Sequence, residues 1–191
     1  MKKLITVAAI VSASMIWMSC EKVESYSEIP EVEFTKVYLA DTLDKLKNEV
    51  KHQLLYFNVI DGDGNLGLNK GDTTDKFSPE SEYYHNLFLS VSAKTNDGEY
   101  TPLTDINENL KYRIPYNEPV GQNKYLKAEI KVAIDIPLAS VNYDTIRYEF
   151  FVYDRELNKS NVTQSCAIPL NIHGTVFADG SIKKVKEKEQ K

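Results

Sequence analysis

Lys127-Ala128-Glu129-Ile130-Lys131-Val132-Ala133-Ile134-Asp135-Ile136 decides the fold class of this chain. Apolar residues fall on every second position, and charged residues fill the gaps. A strand with one face in a core and one in water has that period of two, because successive side chains point to opposite faces. Ala128, Ile130, Val132, Ile134 and Ile136 are therefore expected inside, and Pro137 ends the run. The same rule reads Thr145–Tyr153 as a strand burying Ile146, Tyr148, Phe150 and Val152. It reads His52–Ile60 as a strand burying Leu55, Phe57 and Val59, and Asn86–Lys94 as one burying Leu87, Leu89 and Val91. Asn96-Asp97-Gly98 supplies a tight hairpin after the last of these.

Further outward, Glu33–Leu39 is a short first strand and Val162–Ile172 a last one, with Pro169 marking an edge or bulge. Leu43, Leu46 and Val50 stand at helical spacing and predict a turn or two of helix over Asp41–Val50. Helical periodicity is otherwise nearly absent. The expectation is an all-β, antiparallel sandwich of about seven main strands. A core of that kind fits the 172 residues that follow Ser19.

The two ends have a different character. Lys2 and Lys3 precede the apolar run Leu4–Val11, and small and apolar residues lead to Cys20. The run is too short to span a bilayer and reads as a removable signal. Cys20–Pro30 is polar and acidic, a flexible tether. Residues 31–176 form the sandwich domain, and 177–191 are expected to be a disordered basic tail; Lys183–Lys191 carries five lysines and two glutamates. Residues 20–182, ahead of that lysine-rich end, hold 16 basic and 26 acidic side chains. That balance repels phosphate backbones and argues against nucleic acid as a partner. Besides Cys20 there is one cysteine, Cys166, and no paired Cys/His spacing, which argues against zinc.

Asp61-Gly62-Asp63-Gly64-Asn65-Leu66-Gly67-Leu68 places oxygen-bearing side chains at alternate positions with glycines between them. Asp61, Asp63 and Asn65 can then converge on one hard cation, and Ca²⁺ is the expected ion. The spacing resembles the first half of an EF-hand loop. Leu66 replaces that family's glycine, Asp72 its bidentate glutamate, and a strand rather than a helix precedes the loop, so an EF-hand is excluded.

Asp144-Thr145-Ile146-Arg147-Tyr148-Glu149-Phe150 resembles the D-x-A-x-Y-x-C stretch of immunoglobulin-type domains. Phe150 stands in place of the disulfide cysteine, and the resemblance implies that Tyr148 forms the corner before strand F. Asp154–Asn161 resembles a hairpin common near the end of bacterial immunoglobulin-like domains. If His52–Ile60 is strand B and Thr145–Tyr153 strand F, the loops after them emerge at one end. Asp154 and Asn158 are then expected to join Asp61, Asp63 and Asn65 around one cation.

Cys20, with a small residue before it, resembles the lipobox of bacterial lipoproteins; Trp17 and Met18 stand where that pattern has Leu and Ala or Ser. Together with Asp61–Leu68, Tyr112-Arg113-Ile114-Pro115 and Asp154–Asn161, it makes the chain resemble envelope lipoproteins of Bacteroides-type bacteria. The resemblance implies acylation of Cys20 (palmitate among the acyl groups), outer-membrane anchoring, and a surface-exposed or periplasm-facing domain without an assigned reaction. No nucleophile elbow, HExxH pair or phosphate loop occurs. The expected function is a non-catalytic interaction or accessory module for a protein or glycan, the tyrosine-rich middle segment supplying contacts. The alternative is a small carboxylate-based envelope hydrolase acting on glycans, which needs no sequence motif.

Overall fold

The computed structural model describes residues 25–108, 110–119 and 124–185. It is a β-sandwich of two antiparallel sheets. The first takes the order β11-β10-β1-β2-β6, from Ile182–Lys184, Gly174–Phe177, Glu31–Leu43, Glu49–Asp61 and Leu126–Pro137. The second has β3 (Leu87–Lys94) and β7 (Thr145–Val152) at its centre. β4 (Tyr100–Pro102) and β5 (Lys111–Tyr112) lie on the outer edge of β3. β8 (Thr163–Gln164) and β9 (Ile168–Pro169) lie on that of β7. The neighbours β1-β2-β6 facing β3-β7-β8 reproduce the A-B-E and C-F-G grouping of the immunoglobulin sandwich.

Strand parity builds the core. Val132, Ile134 and Ile136 of β6 are buried between exposed neighbours, and Leu55, Phe57 and Val59 of β2 and Ile146, Tyr148, Phe150 and Val152 of β7 are fully enclosed. Phe57 and Phe150 meet across the layers with ring centroids 4.8 Å apart. In β1 the inward set shifts from Val32 and Phe34 to Val37 and Leu39, because a bulge at Thr35 inserts one residue against β2.

Four expectations are corrected. Asp41–Val50 holds no helix. β1 and β2 run on into a turn in which the Asp44 carboxylate accepts the Leu46 and Asn48 N–H groups, each at 2.8 Å, and Leu43 and Leu46 are exposed at the hairpin tip. Val162–Ile172 is two short pieces instead of one strand. Ser160 before them and Ser165 between them accept the Val152 and Tyr148 N–H groups on their hydroxyls at 3.0 Å, taking over the work of a ladder partner. Tyr148 is a core residue in mid-strand whose hydroxyl makes no hydrogen bond to the main chain, so no tyrosine corner forms. Nor is the chain a free tail from residue 177, since β11 pairs with β10 and carries sheet order through Lys184.

Phe150→Ala removes one half of the inter-sheet aromatic contact from a fully buried site. It should cost about 3–5 kcal/mol in a chemical denaturation experiment. Phe151→Ala, on the outward face of the same strand, should cost much less.

Candidate cation site and the open side of the sandwich

Parity does more than fill the core. Position 61 continues the inward series 53, 55, 57, 59 of β2, and position 154 continues the inward series 146, 148, 150, 152 of β7. At both places the sequence supplies an aspartate where the fold points a side chain inward. Asp61 is fully buried and Asp154 is 1% exposed.

Each carboxylate ends its strand's inward series, and the Asp154 charge is felt at Asp61. Asp61 Oδ2 accepts the Leu66 N–H at 2.8 Å, while Asp61 Oδ1 has no hydrogen-bond partner. Asp63 accepts the Asn65 N–H at 3.2 Å and the Asn65 side-chain amide at 2.6 Å. Asp154 does the same for Asn158, at 2.8 and 2.7 Å. Asn65 Oδ1 is buried without a partner. Burial pushes the Asp61 carboxyl up to about 7; the Leu66 N–H opposes the rise, and the like charges of Asp63 and Asp154 add to it. Among the described residues no group of three or more His, Cys, Asp or Glu side chains stands ready to hold a metal ion. Asp63 and Asp154 are instead each turned onto their own asparagine.

The loop that carries Asp61 is an interior element. Leu66 and Leu68 are buried, and Leu68 bridges Pro115. Gly62 donates to Ser27 O at 2.8 Å, and a Cβ at Gly62 would strike the Tyr26 and Ser27 carbonyls. At Gly67 the backbone takes φ +112° against Tyr116, which only glycine accepts readily. Two arginines hold the continuation. Arg113 donates to the carbonyls of Tyr84, Asn69 (3.1 Å) and Asp72 (2.9 Å). Arg155 pairs with the Asp72 carboxylate at 2.6 Å, which with the Asn69 N–H holds that acid below the usual carboxylate range. Asn161 ties the following hairpin to the first sheet, accepting from Val32 N–H at 2.8 Å and donating to Val32 O at 2.9 Å.

The tyrosines of the middle segment do not gather into one patch. Tyr84, Tyr100 and Tyr116 lie under the guanidinium groups of Arg113, Arg147 and Arg155 at 4.6, 4.1 and 5.2 Å. Tyr83 packs on Tyr153 and Tyr125 on Tyr26. Of the six, Tyr112 and Tyr125 border the open side described next. Pairing Arg113 and Arg155 with main-chain carbonyls and rings leaves no sequence signature, so both arginines escape a motif reading.

The open side lies between β6 and residues 110–119. β6 ends the first sheet, and among the described residues nothing pairs with its outer edge. Clefts follow it. One of about 620 Å³ is walled by Ile134–Pro137 together with Leu103, Leu110, Tyr112 and Tyr143. A second, about 320 Å³, has Ile130–Ala133 on one side and Tyr112–Pro115 on the other. A third lies between Tyr125–Lys127 and Asn117–Pro119. Cys20 lies outside the described residues.

No family model, curated protein or solved structure matches the chain. Arg113→Ala should lower stability by about 1.5–3 kcal/mol, the range for hydrogen bonds to a charged group. Amide exchange should accelerate across residues 69–86 while β2 and β7 stay protected.

Proposed function

We propose that this chain is a lipid-anchored, non-catalytic envelope module that binds an extended polypeptide by strand addition to β6. The carrying observation is the edge itself. β6 is twelve residues long, and its register with β2 is unbroken. Exposed edges are normally blunted by charged side chains, a bulge, an internal proline or an inward-facing charge, and β6 has only the first of these, at Lys127, Glu129, Lys131 and Asp135 on its outward face. In β6 the inward residues are all apolar, and proline enters only at position 137. Main-chain groups of such an edge supply affinity to an incoming strand, and the clefts beside it accept alternate side chains. A hydrolase reading has less support: among the described residues the one strongly raised acid, Asp61, lies under the loop and lines none of the clefts on the open side.

One feature favours a second occupant. Antiparallel pairing of two copies about Ile130 sets each copy's Glu129 opposite the other's Lys131, a self-complementary arrangement.

Peptides selected from a random library on the mature protein should slow amide exchange along β6 and leave β11 unchanged. Selected peptides that leave β6 exchange unaltered contradict the reading. Protection of the same amides in a concentrated, peptide-free sample that sediments as a dimer assigns the edge to a second copy. The anchor has its own test. Cys20→Ala should yield soluble protein or an uncleaved precursor, and a processed mutant still fractionating with membranes would overturn acylation at Cys20.

A further inference from the structure

We infer that Asp61, Asp63, Asn65 and Asp154 form a divalent-cation site, suited to Ca²⁺, that locks the loops after β2 and β7 together. Two observations carry the inference beyond the presence of acids. Asp61 is fully buried, one of its oxygens accepts from no N–H or O–H donor, and the groups acting on its charge are the Leu66 N–H, the Asp63 carboxylate within hydrogen-bonding reach and the Asp154 carboxylate, with no lysine or arginine among them. An ionised carboxylate in that setting is costly unless something neutralises it. Asn65 Oδ1, a neutral oxygen donor on the same loop, is also buried and unpartnered. Two unpaired oxygens beside two further carboxylates make an all-oxygen donor set, the kind hard cations take.

Ca²⁺ fits better than Mg²⁺. Asp61 and Asp154 are fixed by strand ends and Asp63 and Asn65 by a loop, which suits a large ion with flexible geometry more than strict octahedral coordination at about 2.0–2.1 Å. Asp63 and Asp154 now accept hydrogen bonds from the Asn65 and Asn158 amides. Closing on an ion requires each carboxylate to turn one oxygen inward. The Asn158 amide bond to Asp154 then orients that carboxylate.

The test uses Ca²⁺ itself on the mature protein. Wild type freed of metal by chelator should melt about 5–10 °C higher when Ca²⁺ is a hundredfold above its Kd. Equilibrium dialysis with radioactive calcium should find one ion per chain. Asp61→Asn keeps the side-chain shape and removes the buried charge. It should lose both the melting response and the bound ion, yet melt in chelator no lower than wild type. Asp154→Asn should weaken the response, and Asp97→Asn, in the distant β3–β4 hairpin, should leave it intact. Wild type that melts identically in chelator and in millimolar Ca²⁺ overturns the site. So does Asp61→Asn that still binds calcium. If Asp61→Asn fails to fold, loss of the bound ion in folded Asp63→Asn carries the test, and its retention counts against the site.

Discussion

A carboxylate without a counter-charge sits where β2 runs into its loop, and the architecture of that end follows from it. Strand parity places Asp61 inside, and the hydrogen bond it accepts from the Leu66 N–H curls the chain back over it. That curl delivers Leu66 and Leu68 into the core and lays the loop against Ser27 and Tyr116. An apolar residue at position 61 would bury at no electrostatic cost, whereas an isolated charge there costs several kcal/mol. The sequence keeps two aspartates at the two inward strand ends, which is unfavourable for stability alone and sensible for holding a cation.

The pinned end and the open side are joined through one segment. Residues 110–119 bridge Leu68 and supply Arg113 to the loop carbonyls, and they also form the wall opposite β6. Rigidity at the loop therefore fixes the spacing of the groove. A preformed groove binds an extended segment at a lower entropic cost than one that must be ordered first.

Much of the fold was legible because alternation is strong in the long strands. Ile130–Ile136, Leu55–Val59 and Ile146–Val152 each show inward parity without help from a partner. The inward placement of Asp61 and Asp154 was equally legible, since each continues the parity of its strand. Other parts carried no such signal. β10 and β11 are short, and every residue of β11 is exposed, so a lysine-rich edge strand looks like a tail. Leu43 and Leu46 mimic helix spacing because a hairpin tip exposes both. Tyr148 has the spacing of a corner tyrosine, yet the core encloses it in mid-strand, with Gln53 buried in the same interior. The orphaned oxygen of Asp61 is a property of packing, which spacing alone does not reveal.

The central claim is that Asp61 is ionised and neutralised by a bound cation. A high-resolution crystal structure of the mature protein grown at neutral pH with millimolar Ca²⁺ tests it most directly. The account predicts an ion about 2.3–2.6 Å from Asp61 Oδ1, with Asn65 Oδ1 and an oxygen of Asp63 and of Asp154 in the same shell and water completing it. A water molecule in that place, or the Asp61 and Asp63 carboxyls sharing a proton with no ion between them, would contradict it.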